Sequence, residues 1–305
     1  MRLRKIKPYY ATPVFCLFVF ILITLSSLFS ISYDGSIYSV LAVCVLQIEV
    51  FVLPGVIFCR LVGIVSPKDL GFKRFRVQNI ALVLCSAVFL FSASVLFGLV
   101  LEPDYAQNHV VADLTALSAQ SVIYITVVYC ILPAVTEEFV FRSVIYGQYR
   151  KYGVFCAAAV SSVLFALMHF SLTELPKFLL CGVVLALVYE VTHSVIASIS
   201  VHLIFNLLTV FSQKLLTDAA GKAENTLPFV FLFVSVLLIF LFLSLSRAQS
   251  QLEYDSINIP PESPDKERSL QYRMRSLLLS FLSPTFLVCA VYAVVFAVIR
   301  LKSST

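Results

Sequence analysis

One apolar segment of the chain contains the run Thr136-Glu137-Glu138-Phe139-Val140-Phe141-Arg142, two adjacent carboxylates followed four residues later by a guanidinium. On a helix, positions i and i+4 share a face, so Arg142 pairs with Glu138 while Glu137 points about 100° away. One carboxylate is then held and neutralised, and the other is left for proton transfer. Two like charges side by side also split their proton affinities, which is a way to tune an acid or a base. Two further runs bring polar groups into apolar surroundings. Phe165-Ala166-Leu167-Met168-His169 ends in a lone histidine, and His202-Leu203-Ile204-Phe205-Asn206 sets an imidazole and a carboxamide one turn apart on one face. If the chain turns at Gly153, Glu137 lies 16 residues before the turn and His169 lies 16 after it. Antiparallel neighbours then hold the two at one depth, about 24 Å from the turn. His202 is nine residues beyond His193, the expected position of the next turn on that side. It reaches the same depth only if the first hairpin projects further than the second.

The elements that must carry these groups are membrane helices. The 305 residues are 60% hydrophobic and only 13% charged, with a mean hydropathy of +0.96. That excludes a soluble globular enzyme, for which about a quarter of residues are charged. With 9 Gly, 12 Pro and eight cysteines at no paired spacing, disorder, collagen and a disulfide scaffold are excluded too. The cysteines read as small apolar residues. Apolar runs of spanning length fall near Pro13–Ile31, Ile37–Ile64, Ile80–Leu101, Ser121–Tyr149, Val154–Phe170, Leu175–Thr192, Val195–Phe211, Leu227–Leu245 and Leu277–Ile299. The expected fold is all-α, a polytopic transmembrane bundle of about nine helices (eight to nine) forming a single integral membrane domain over 1–305. Its motif-bearing core is 121–208, and a solvated loop over 246–276, with Pro260, Pro261 and Pro264, precedes the last helix. The N-terminus resembles a signal peptide, but its apolar run is long and no small-residue cleavage motif follows, so it reads as a helix.

Basic residues collect in cytoplasmic loops. An N-terminus inside puts fifteen of the 22 Lys and Arg on that face. The acidic loop Glu102–Gln120, which includes His109, then lies outside. The expected location is the cell membrane, multi-pass, with the net charge of +5 facing anionic lipid and no nucleic-acid partner.

A charge within hydrocarbon costs about 2.5–3.5 kcal/mol on insertion scales. One intramembrane histidine is accounted for by a single interhelical hydrogen bond. Six polar residues on three helices otherwise built of Val, Leu, Ile, Phe and Ala favour chemistry. Glu190 and His193 read as a solvated helix end. Gln47 and Glu49, in the second helix, have no such partners, and Glu49 suits a cavity wall and an interhelical bond equally. Zinc is the metal to weigh, with Glu137, His169 and His202 as its ligands. No His-Glu-x-x-His run places two ligands on one turn, which favours a site without metal or other cofactor. A proton-coupled transporter also uses Glu and His relays, but matching inverted halves with broken helices are not seen.

Glu137-Glu138-x-x-x-Arg142, Phe165-x-x-x-His169 and His202-x-x-x-Asn206, in that order, resemble the three-motif signature of the CPBP intramembrane protease family. That family includes type II CAAX prenyl endopeptidases and bacteriocin-processing or immunity proteins. The resemblance covers about Ser121–Leu208, roughly a third of the chain. It implies an endopeptidase acting on a membrane-associated peptide or a prenylated protein tail, with membrane lipid around it. Glu137 and His169 would activate water, Arg142 would hold Glu138, and His202 and Asn206 would stabilise the oxyanion. Such enzymes have been labelled metalloproteases, although a glutamate-dependent mechanism explains the same residues. The resemblance also leaves room for a non-catalytic immunity or regulatory protein on the same fold.

Overall fold

A computed structural model describes residues 6–28, 36–64, 70–101, 119–222, 227–258 and 270–304. These residues form ten helices and no strand: α1 (Pro8–Ser26), α2 (Ile37–Val62), α3 (Ile80–Leu101), α4 (Ser121–Tyr152), α5 (Val154–Met168), α6 (Leu175–Thr192), α7 (Val195–Lys222), α8 (Leu227–Asn258), α9 (Leu270–Phe281) and α10 (Pro284–Ser304). Eight are long and apolar enough to cross a bilayer, and α5, at 15 residues, is an apolar but shorter helix. The chain is therefore a multi-pass, all-α membrane protein. Most of the acidic loop 102–120, with His109, and the three prolines of the 246–276 stretch lie outside the described residues.

Two helices carry the same local device. A π-helical turn, Ile48–Val52 in α2 and Thr126–Ile131 in α4, is followed at once by Leu53-Pro54 and Leu132-Pro133. Proline lacks an N–H and its ring crowds the carbonyl four residues back, so a widened turn relieves the clash without leaving the helix. A third π-helical segment, Phe139–Tyr146, immediately follows the two glutamates.

α5 lies between α4 and α6, and α7 crosses α3, α4 and α6. α8 packs along the outer side of α3, while α1 pairs with α10. The Thr24 and Tyr292 hydroxyls meet at 2.6 Å, and Thr285 donates to the Tyr9 carbonyl, so the first and last helices are tied at both ends. Gly153, at φ +106°, makes the expected turn between α4 and α5. α5 and α6 approach closely because Gly182 has no side chain: a Cβ there would stand 2.8 Å from the Ser162 Cα.

The C-terminal region departs from expectation. α8 does not stop at the membrane boundary but runs on to Asn258, and α9 already begins at Leu270. The stretch expected as a loop over 246–276 is thus helical at both ends. Its charges and amides report contact with water, not loss of helix: Gln249 donates to Glu253 at 2.8 Å across one turn. The last span starts at Pro284, not Leu277, because the helix breaks at Leu282-Ser283 and the proline sits at the first position of the new one.

Candidate active site

The i,i+4 pairing expected in α4 is present. Arg142 Nε stands 3.2 Å from Glu138 Oε2, and both side chains are fully buried. The contact is ionic and lacks hydrogen-bond alignment, since neither atom has a hydrogen-bond partner among the described residues. The guanidinium is fixed by other means: one Nη donates to the Gly182 carbonyl at 3.1 Å, and its carbon lies 4.7 Å from the Phe165 ring centre. A buried pair tolerates its desolvation only with such added contacts. Gly182 therefore serves twice, admitting α5 to close contact and turning a carbonyl to the arginine.

His202 bridges the two glutamates. Its Nδ1 is 3.2 Å from Glu138 Oε1, and its Nε2 is 4.0 Å from Glu137 Oε2. Asn206, one turn further along α7, places its amide nitrogen at a long 3.5 Å from the Cys130 carbonyl. His169 caps the end of α5. Its Nδ1 is 2.9 Å from the Phe165 carbonyl, which can only accept, so Nδ1 donates and Nε2 of the neutral ring keeps its lone pair. Phe178 of α6 stacks on the imidazole at 3.6 Å and an interplanar angle of 16°.

A cavity of about 210 Å³ brings Glu137 and His169 together with Gln47, Ser26, Phe51 and Met168. His202 and Asn206 are not part of its lining. Glu137 Oε2 has no hydrogen-bond partner among the described residues. A second recess, about 420 Å³, lies on the other side of His169 and is lined by Ser171, Thr173, Glu174 and Arg300 among others. The short α5 explains it. Fifteen residues rise about 22 Å, less than the roughly 30 Å of bilayer hydrocarbon, so the polar turn after His169 dips below the ends of its neighbours. Polar backbone at that depth is tolerated where it lines a cavity.

The depth of His202 is also accounted for. Tyr146 donates to Glu190 at 2.7 Å, which levels α4 at Tyr146 with the end of α6. Tyr146 is nine residues from Glu137, and His193 is nine from His202. The α4–α5 hairpin projects beyond the α6–α7 turn by the residues from Gly147 to Gly153.

Several expectations need correcting. Glu190 is not merely a solvated helix end: besides Tyr146 it takes two hydrogen bonds from Arg150, at 2.9 and 2.6 Å. His193 is exposed with φ +50°, closing α6. Glu49 lies exposed on the π-helical turn and lines neither cavity described above, whereas Gln47, two residues earlier, does. Gln47, Phe178 and Gly182 stand in helices outside the three motifs, with no sequence spacing to mark them. Among the described residues no group of three His, Cys, Asp or Glu side chains has the arrangement of a metal site.

Residues 119–208 match the profile of Rce1-like type II CAAX prenyl endopeptidases. Over 95 residues the chain is 33% identical to the putative membrane peptidase YdiL of Bacillus subtilis, a match covering 31% of this chain and 39% of that protein. Over 108 residues it is 32% identical to the membrane-embedded CAAX protease MroQ of Staphylococcus aureus, covering 33% and 44%. The match thus takes in about two fifths of the length of these curated relatives. No solved structure matches the chain. All six motif residues, on α4, α5 and α7, fall inside the matched stretch, so the likeness to these membrane peptidases rests on the motif-bearing core.

Proposed function

We propose that the protein is an intramembrane endopeptidase that hydrolyses a peptide bond of a membrane-associated peptide or a lipid-modified protein tail. The observation that carries this reading is the division of labour between the two glutamates: Glu138 is locked between Arg142 and His202, while Glu137 faces a cavity shared with His169. Water reaching that cavity from the recess beyond His169 is polarised between the Glu137 carboxylate and His169 Nε2. Glu137 takes a proton as the water oxygen attacks the scissile carbonyl carbon, and the proton passes to the leaving nitrogen as the C–N bond breaks. His202, donating through Nδ1 to Glu138, holds the glutamate pair, and the Asn206 amide, held by the Cys130 carbonyl only at a long 3.5 Å, turns to donate to the tetrahedral oxyanion. No metal takes part in this scheme.

On this reading the N-terminus, the Gly153 turn and the α6–α7 turn face the cytoplasm of a cell membrane, and the recess beside Arg300 opens on the opposite face. The test is cleavage of fluorogenic peptides, prenylated and unprenylated, in nanodiscs. Glu137→Gln is expected to abolish turnover while insertion and monodispersity are retained, and wild-type turnover is expected to survive a strong chelator. A folded Glu137→Gln protein that still cleaves would overturn the assignment.

A further inference from the structure

The cavity that holds Glu137 and His169 has a wall from outside the three motifs. That wall is built by α1 and α2, and the one amide-bearing side chain in it is Gln47 of α2. Thr136, the residue before Glu137, lies with Oγ1 3.2 Å from Gln47 Oε1 and 2.9 Å from its own Leu132 carbonyl. A hydroxyl has one hydrogen and a glutamine amide has two N–H groups and one carbonyl. Whichever way the amide is turned, Thr136 engages one of these positions, and at least one N–H is left over. That N–H has no protein acceptor among the described residues, and Gln47 is half-buried against the cavity.

The other donors stand elsewhere. His202 is committed to Glu138 through Nδ1, and the Asn206 amide points at Cys130. Neither residue is in the lining. Among the side chains that line the cavity, the one with an uncommitted N–H is therefore the Gln47 amide, held beside Glu137 by the adjacent Thr136.

We infer that Gln47 is a further oxyanion donor: its free N–H bonds the scissile carbonyl oxygen of the peptide substrate as negative charge develops on it. The inference rests on the endopeptidase reading above. An amide donor of this kind strengthens its bond as the oxygen gains charge, so it acts on kcat more than on KM.

The experiment compares kcat and KM for one cleaved peptide across wild type, Gln47→Met, Thr136→Val and Glu137→Gln, with thermal unfolding of each in the same nanodiscs. Gln47→Met keeps the length of the side chain without its donor, and is expected to lower kcat about 10²-fold with KM changed less than about threefold. Thr136→Val keeps the amide and removes its tether, and is expected to lower kcat only a few-fold. If Gln47 serves only to satisfy Thr136, the two variants will be equally active and equally stable, which overturns the inference. Gln47→Asn, which withdraws the amide by one methylene, replaces Gln47→Met if the latter does not fold, and is expected to lose at least about tenfold in kcat. Turnover by Glu137→Gln strikes the endopeptidase mechanism itself. Loss in Glu137→Gln with full kcat in the Gln47 variants removes Gln47 alone.

Discussion

α4 and α8 are both long apolar helices, yet they use their surfaces in opposite ways. α8 turns large side chains outward: Phe231 and Phe242 are 70% and 71% exposed, and its main contact is with α3. α4 is less uniformly apolar and far better buried, with Phe141, Arg142, Tyr146 and Glu138 wholly enclosed. In water the order would be reversed, since burial there follows hydrophobicity. Lipid is as apolar as leucine, so apolar surface gains nothing by turning inward, and close packing and hydrogen bonds decide which helix lies inside. The polar residues mark the interior of this protein, and the most apolar helix marks its exterior.

The strongest way to break that contrast is to unpair the interior charge. Arg142→Ala leaves Glu138 buried without its cation, removes the bond to Gly182 and empties the space over Phe165. The expected cost is about 3–5 kcal/mol, read as a large fall in thermal midpoint or failure to recover folded protein. The matching change on α8, Phe242→Leu, is expected to stay within about 0.5 kcal/mol of wild type. Similar losses in both variants would mean that α8 is covered by something other than lipid. Next in size is Gly182→Ala. Its Cβ would meet backbone of α5 and not a side chain that can move aside, so α5 and α6 must part, at about 1–3 kcal/mol. Because Gly182 also fixes Arg142, turnover should fall with stability, measured on the same preparation.

How much of this was legible in the sequence follows from the range of each interaction. Glu138 with Arg142, and His169 with the Phe165 carbonyl, are i,i+4 relations within or at the end of one helix, so helical periodicity alone reveals them. The common depth of Glu137 and His169 needed only one turn, at Gly153. Gln47, Phe178 and Gly182 act across helices whose faces are apolar all round, and such helices carry no signal of which side meets which neighbour. The misplaced loop at 246–276 has a different cause: polarity reports where hydrocarbon ends, and α8 simply continues into water. Glu190 reads as solvated in the sequence for a third reason. Its partners, Tyr146 and Arg150, stand on α4, some forty residues earlier, and only the level at which α4 passes the end of α6 brings them together.

That hairpin gives an intermediate test, because it leaves the enclosed interior without leaving the motif helix. Glu190→Gln keeps the shape of the side chain and removes the charge that Arg150 and Tyr146 share. The Arg150 side chain is 38% exposed, so solvent screens the pair, and the expected loss is about 1–2 kcal/mol. Thermal unfolding should show it weakening further at high salt, unlike the loss from Arg142→Ala, whose partners are sealed from ions.

The smallest effect sharpens the comparison most, since it separates membership in the motif helix from enclosure. Gly147 is on α4, five residues after Arg142, but it is exposed, helical in backbone, and a Cβ built on it meets nothing within 4 Å. If α4 were intolerant along its whole length, Gly147→Ala would be costly in the way that Gly182→Ala is. If enclosure is what matters, the added methyl group enters open space, and the substitution only narrows the conformational freedom of the unfolded chain. The expected result is a gain of about 0.5–1 kcal/mol, the difference between glycine and alanine in a helix interior, with kcat and KM unchanged. A loss of stability at Gly147 would mean that the exposed side of the hairpin, opposite the buried Tyr149, is packed against another surface, and the line between interior and exterior would then have to be redrawn to enclose Gly147.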